Sequence, residues 1–288
     1  MEERICLITG ANSGISKVTA RELARQGMTV LLVCRDVHKG EAARQEILAI
    51  AGHPRVDLLI SDLSDQESIV QLAQEVRWKY PRLDVLIHNA GLILPQRTTT
   101  AQGLETTLAV NHLAPFLLTH LLLDWLRKSK EARIITVSSE AHRLARLDWD
   151  DWQAEKKYRS WIAYANAKLG NILFTRELAA RLKGENITVN CLHPGVVGTG
   201  FASSFEGGAA RLMMQLARPF FLSAEQGAQT SIFLASSSEV VVSGEYFVKK
   251  SPKSPSSQAL SQYNAQRLWE ISSELTRLPE WLNVMQQA

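Results

Sequence analysis

Cysteine is scarce in this 288-residue chain. Cys6, Cys34 and Cys191 stand far apart and form no CxxC pair. That excludes a disulfide framework and favours a reducing compartment. An excess of one charge is also lacking: Lys+Arg 32 against Asp+Glu 29 leaves +3, with no long run of either sign. A nucleic-acid binder, which draws its affinity from clustered phosphate contacts, is therefore not expected. The chain runs from Met1 straight into an apolar strand, without the basic and apolar regions of a secretory signal. The most apolar stretch, Leu113 to Leu126, is broken by Pro115, His120 and Asp124. It falls short of the roughly 20 apolar residues a membrane span needs, and reads as a buried helix. No spacing of histidines, cysteines or carboxylates suits a metal. Together these absences predict a soluble, cytoplasmic protein with no transmembrane segment.

With 45% hydrophobic and 21% charged residues, the chain has ample material for a core. Short β-rich runs at Ile5–Ile8, Val30–Val33, Val56–Ile60, Val85–Ile87, Ile134–Val137 and Thr188–Cys191 read as strands. Between them lie helical patterns at Ile15–Gln26, Lys39–Ala51, Gln66–Trp78, Glu105–Leu126 and Ala163–Leu182. Strands separated by helix-length segments imply right-handed crossovers and a parallel sheet. The fold class expected is α/β: a single-domain, Rossmann-type doubly wound parallel sheet with helices on both faces, binding nucleotide at its carboxyl edge. No repeat or linker divides residues 1–288. The cofactor-binding part is expected over about 1–140 and the catalytic and substrate part over about 141–288. Lys249–Ser257 reads as a loop and Gln258–Leu275 as a terminal helix.

Thr9-Gly10-Ala11-Asn12-Ser13-Gly14-Ile15-Ser16 follows the first strand and opens the first helix. Glycines there let backbone N–H groups approach a pyrophosphate, and the helix N-terminus adds partial positive charge. Arg35 stands at the end of the second strand, where a ribose-binding Asp or Glu would mark NAD preference. An arginine there either pairs with a 2′-phosphate, which favours NADP(H) over NAD(H), or is merely solvated. Lys17 offers a second cation; Asp36, one residue on in an extended segment, is expected to point elsewhere.

Tyr164 and Lys168 are spaced i,i+4 in a helical pattern and so share one face. A phenol with an ordinary pKa of about 10 is a poor acid or base near neutrality. A neighbouring ammonium favours the phenolate and brings it into use for proton transfer. Ser138-Ser139 closes the preceding strand, where loop residues face the site.

At this point the chain resembles a short-chain dehydrogenase/reductase over nearly its whole length. Beside the glycine turn it carries Asp62-Leu63, Asn89-Ala90-Gly91, Asn111, Ser139, Tyr164/Lys168 and Pro194-Gly195-Val196-Val197-Gly198-Thr199 in order. Within the family it is most similar to the retinol dehydrogenase-like branch, through Cys34-Arg35-Asp36, Val137 to His142, Lys168 to Phe174, Gly244 to Phe247 and Arg267 to Glu270. The resemblance implies that Tyr164 exchanges a proton with the substrate oxygen while hydride passes between nicotinamide and carbon. It implies that Ser139, or alternatively Ser138, hydrogen-bonds that oxygen. By the same likeness Lys168 holds the nicotinamide ribose and lowers the Tyr164 pKa, and Asn111 positions a water for proton relay. The cofactor set so implied is Gly10, Asn12, Ser13, Gly14, Ile15, Arg35, Asp62, Leu63, Asn89, Ala90, Gly91, Tyr164, Lys168, Pro194, Val197 and Thr199. Of these, Asp62 and Leu63 would flank adenine, and Val197 and Thr199 would meet the carboxamide. Asn111 also reads as a helix-start residue and Asp62 as an N-cap.

One departure is Ser16, where the family has a third glycine. Its Cβ and hydroxyl are expected to crowd the neighbouring strand or shift the helix, reducing cofactor affinity. Phe201, Phe205, Leu212, Met213, Met214, Leu216, Phe220 and Phe221 form either a lid over a bulky lipophilic substrate or a packing helix. Trp149, Trp152 and Trp161 offer a second pocket wall, while His142 and His193 read as packing beside the site. The likeness makes the helices Asn111–Leu126 and Ala163–Leu182 candidates for a homodimer face. Lys249, Lys250 and Lys253 suit peripheral contact with an anionic membrane or a solvated loop. The function expected is NADP(H)-dependent interconversion of a hydroxyl and a carbonyl on a lipophilic small molecule such as a retinoid, steroid or aldehyde. The alternatives are a non-catalytic NADP(H)-binding sensor or scaffold, and a reductase of a carbon–carbon double bond.

Overall fold

The computed structural model describes residues 3–197 and 222–287. Its strands are β1 (Ile5–Thr9), β2 (Thr29–Cys34), β3 (Val56–Ile60), β4 (Val85–His88), β5 (Ala132–Val137), β6 (Ile187–His193), β7 (Tyr246–Val248) and β8 (Ser251–Pro252). They form one sheet in the order β3-β2-β1-β4-β5-β6-β7-β8, parallel throughout except for the final β7–β8 pair. Every residue of β1 and β2 is buried. The apolar residues do not alternate with polar ones because helices cover both faces of the sheet. Ile5 and Leu7 pack with α3 (Gln66–Lys79), α4 (Thr106–Arg127) and α5 (Ser160–Arg181). Cys6 and Ile8 face α1 (Gly14–Arg25), α2 (Val37–Ala51) and α6 (Ala224–Ser236). The strand order reverses between β1 and β4, and such a switch point opens a crevice at the carboxyl ends of the strands.

All six strands read from the sequence are present, each within a few residues of its expected bounds. Helix α4 carries two features that periodicity did not reveal. Buried Glu105 caps it, its carboxylate accepting from Thr107 N at 2.8 Å and Leu108 N at 2.6 Å. A π-turn occupies Ala109–Leu113. α4 matches the helical pattern read over Glu105–Leu126, and at 22 residues its length and composition alone would suit a membrane span. In this structure 83% of its apolar window is buried in the protein.

Beyond β6 the chain departs further from expectation. The stretch from Lys249, expected as a loop, begins as a hairpin: Lys249 (φ 51°) and Lys250 (φ 65°) turn β7 into β8. The single terminal helix expected over Gln258–Leu275 is a short turn, Ser257–Leu260, followed by α7 (Gln262–Leu275). Ser261 divides them, its side chain accepting from Asn264 N at 3.2 Å. α6, opened by a Ser223/Gln226 capping box, and α8 (Leu278–Gln287) were not read from sequence. Helices α7 and α8 lie on α4 and α5. The Trp269 ring packs 5.2 Å from that of Phe116 and 6.1 Å from that of Phe174, and Leu278 and Met285 are buried in the same slab. The faces of α4 and α5 that carry Phe116 and Phe174 are thus covered by the chain's own C-terminal helices.

Candidate active site

The crevice is a cleft of about 1080 Å³. Gly10, Asn12, Ser13, Gly14 and Ile15 line it from the first turn, Arg35 from the end of β2, and Asp62 and Leu63 from the end of β3. Asn89, Ala90 and Gly91 follow from β4, Ser139 from β5, Tyr164 and Lys168 from α5, and Pro194 and Val197 from the end of β6. Thr199 and the apolar residues from Phe201 to Phe221 lie outside the described residues.

The first turn is built for close approach. Gly10 has φ +69°, and a Cβ there would stand 3.0 Å from Ala90 Cα, so both backbone geometry and space call for glycine. Thr9 Oγ1 accepts from Asn89 N at 3.0 Å and Ala90 N at 3.1 Å, locking the β1 and β4 ends together. Ser13, the N-cap of α1, makes no side-chain cap. The positive end of this 12-residue helix, uncapped by the Ser13 side chain, opens on the cleft.

Ser16 is accommodated by hydrogen bonds within the turn. It is buried, and its hydroxyl reaches the Gly10 carbonyl at 2.5 Å and the Ser13 carbonyl at 3.1 Å. The group expected to crowd the strand is absorbed as a clasp across the turn. Lys17 is also corrected: its Nζ pairs with Glu46 at 2.7 Å and it does not line the cleft. The lining cation beside Arg35 is Lys39, missed in the sequence although it sits in the first turn of α2. Arg35 itself is 75% exposed, with Asp62 Oδ2 at 4.0 Å. Asp62 is not a helix N-cap: its Oδ1 accepts from Ser64 N at 2.9 Å, and Asp65 caps α3. Asp36, expected to point elsewhere, also lines the cleft: its Oδ1 caps α2 by accepting from Lys39 N at 3.0 Å, and its Oδ2 stands 3.8 Å from Lys39 Nζ.

At the other end of the cleft, Tyr164 and Lys168 are both buried on one face of α5. The two serines that follow β5 divide their work. Ser138 donates to the Lys168 carbonyl at 2.7 Å, whereas Ser139 hydrogen-bonds the Tyr164 phenol. Burial pushes the phenol up to about 12, and the Ser139 hydrogen bond works against that rise. Burial also brings Lys168 down to about 8. Lys168 Nζ donates to Val137 O at 2.9 Å and stands 5.6 Å from the Tyr164 ring centroid. The phenol is thus shifted by burial in the direction opposite to the lowering expected from the lysine.

Asn111 is the one described member of the expected set that does not line the cleft. Fully buried in the π-turn of α4, it donates to Leu92 O at 2.8 Å and Thr107 O at 2.7 Å and accepts from Leu92 N at 3.2 Å. It is a helix-interior residue that anchors the loop after β4, not a helix-start residue. Of the three tryptophans, Trp161 lines the cleft, edge-on to Tyr164 at 6.0 Å. Trp149 and Trp152 stack on each other at 5.3 Å and pack in the core. His142 is buried between Ser139 O at 2.7 Å and Ser256 N at 3.0 Å, while His193 lines the cleft. Ile93 and Val110 add apolar lining that no sequence signal had marked.

A glycine turn at an uncapped helix, with a buried Ser–Tyr–Lys cluster across the same cleft, suits a dinucleotide-dependent redox site. Residues 4–208 match the family model described as short chain dehydrogenase. The chain belongs to the short-chain dehydrogenase family. It is 43% identical to human retinol dehydrogenase 11, covering 96% of this chain and 86% of that one, and so falls in the retinol dehydrogenase-like part of the family. Among solved structures, it resembles an uncharacterised protein from Mycobacterium paratuberculosis, with a TM-score of 0.77 and 33% identity over 95% of this chain and 93% of the other. It also resembles a short chain dehydrogenase from Escherichia coli CFT073 complexed with NADPH, with a TM-score of 0.68 and 29% identity over 86% of this chain and 96% of the other. The protein is thus an oxidoreductase of a family that works with a nicotinamide cofactor.

Proposed function

We propose that this short-chain dehydrogenase uses NADP(H) to interconvert a hydroxyl and a carbonyl on a lipophilic small molecule, with Tyr164 as general acid/base. The observation that carries the reading is the Ser139–Tyr164 hydrogen bond beside Lys168, in a cleft whose far end presents an exposed arginine. The amides that open α1 would hold the pyrophosphate, Arg35 with Lys39 the 2′-phosphate, and Lys168 the nicotinamide ribose. When bound, the nicotinamide supplies or takes the hydride.

The chain's own residues handle the proton. Ser139 donates a hydrogen bond to the substrate oxygen and orients it against the phenol. With its pKa near 12, Tyr164 is protonated at neutral pH and poised to give its proton to a carbonyl oxygen, which favours reduction. Burial of Tyr164 and Lys168 excludes water from that transfer. Trp161, Ile93 and Val110 provide apolar walls that suit a retinoid, steroid or long aldehyde, and the retinol dehydrogenase relatives support the same substrate class.

The test is turnover of retinal, a steroid ketone and a medium-chain aldehyde with NADPH, by the wild type and Tyr164→Phe. The variant is expected to bind NADPH normally and lose at least about 100-fold in kcat. Wild-type turnover by Tyr164→Phe would overturn the assignment. NADPH binding without turnover on any carbonyl would favour a sensor, and reduction without alcohol formation would favour a double-bond reductase.

A further inference from the structure

Behind the catalytic lysine, a continuous line of buried polar groups runs to the C-terminal helix. Lys168 Nζ donates to Val137 O at 2.9 Å, and the same carbonyl accepts from Asn171 Nδ2 at 3.3 Å. Asn171 Oδ1 meets His112 Nδ1 at 3.3 Å, and His112 Nε2 meets Ser272 Oγ of α7 at 2.9 Å. Asn171, His112 and Ser272 are each at most 1% exposed.

The chemistry of the end group orders the whole line. A backbone carbonyl only accepts, so the Asn171 amide presents N–H to Val137 and its oxygen to His112. His112 must then carry its proton on Nδ1, and the bare Nε2 takes the Ser272 hydroxyl hydrogen. Burial brings His112 down to about 4 and so keeps the ring in this neutral, one-donor form. Space for the ring is also reserved: a Cβ on Gly170 would lie 3.0 Å from His112 Nδ1. Three groups on α5, α4 and α7 therefore point their donors one way, toward the β5 carbonyl that holds Lys168.

We infer that Asn171, His112 and Ser272 are positioning residues for Lys168, fixing the Val137 carbonyl and coupling helix α7 to the catalytic end of the cleft. The inference rests on the reading in which Lys168 serves hydride transfer. Loss of the Asn171 amide would leave Val137 O to the lysine alone and free the ammonium to leave its working position; loss of the Ser272 hydroxyl would do so more weakly, at two removes.

The experiment compares retinal reduction by NADPH in Asn171→Leu, Ser272→Ala, their double variant and Leu268→Ala. Leu268 is a buried α7 residue of the core beside this line, so its truncation loosens α7 without touching a polar group. Asn171→Leu is expected to lower kcat about tenfold or more and Ser272→Ala about threefold, with KM and NADPH affinity held within about twofold. Because one line carries both effects, the double variant should match Asn171→Leu rather than multiply the two losses. Multiplied losses, or kcat values no lower than that of Leu268→Ala, would overturn the inference. Should Asn171→Leu fail to fold, Ser272→Ala against Leu268→Ala decides it. Tyr164→Phe assayed alongside separates the two levels: if it keeps wild-type turnover the catalytic reading itself has failed, and if it is inactive the comparison judges this line alone.

Discussion

The Ser16 hydroxyl lies 2.5 Å from the carbonyl oxygen of Gly10, closing a clasp over the glycine turn that lines one end of the cleft. A second carbonyl, that of Ser13, lies 3.1 Å away. A hydrogen bond of this kind contributes about 1 kcal/mol, which corresponds to roughly fivefold in an equilibrium constant. Ser16→Ala is expected to weaken NADPH binding by about that factor, and Ser16→Gly by more because backbone freedom is added. Fluorescence titration with NADPH measures both. Affinity equal to or better than wild type in Ser16→Gly would mean that the serine is a burden on the turn after all.

Lys168 links catalysis to stability through pH. Its folded value of about 8 lies below the ordinary 10.5, so the folded protein gives up this proton more readily than the unfolded chain. The buried ammonium therefore costs on the order of 3 kcal/mol below pH 8, and the cost fades as pH rises toward 10.5. Lys168→Met should melt at a higher temperature than wild type near pH 7 and lose that advantage near about pH 10. Carbonyl reduction by the wild type should fall as pH rises through about 8 and the lysine discharges. Calorimetry at the two pH values and a pH–rate profile check both; a constant difference in melting temperature would remove the buried charge from the account.

Arg35 is the test of cofactor choice. Being 75% exposed, it is expected to carry little folding energy, and Arg35→Asp should change stability by no more than about 0.5 kcal/mol. Against the 2′-phosphate the same change replaces an attraction by a repulsion. NADPH affinity should fall about tenfold or more while NADH affinity holds or improves. Equal preference for the two dinucleotides in both proteins would end the assignment.

The hairpin that closes the sheet offers a purely conformational prediction. Lys249 and Lys250 both occupy the left-handed region, at φ 51° and 65°, which favours Asn and Gly in a two-residue turn. Lys249→Asn with Lys250→Gly should stabilise the fold by about 1 kcal/mol, a rise of roughly 2–4 °C in Tm. A lower Tm would show that the lysine side chains themselves hold this edge of the sheet.

Much of this molecule was legible in its sequence, for identifiable reasons. Strands β1, β2 and β4 were readable because parallel strands buried on both faces appear as unbroken apolar runs, and β3, β5 and β6 because their β-branched and apolar residues cluster between helical patterns. Tyr164 and Lys168 share a face because four residues make about one helical turn. What escaped reading depends on side-chain partners distant in sequence. Lys17 looked like a cofactor cation, and only the fold brings Glu46 to it. Lys39 looked like an ordinary helix residue, and only the end of β2 turns it into the cleft. Asn111 was expected to position a water, and only the fold shows its amide held by Leu92 and Thr107. Strand β7 is too short to stand out as a run and takes its place from pairing with β6.

The wide turn at Ala109–Leu113 has one more implication. An extra residue in one turn offsets everything before it by about 100° around the helix axis relative to everything after it. Deleting a single residue there would make the backbone ladder more regular, yet it would swing Glu105 and Thr107 away from the contacts they now make. This short stretch should therefore reject length changes even where it accepts changes of side chain.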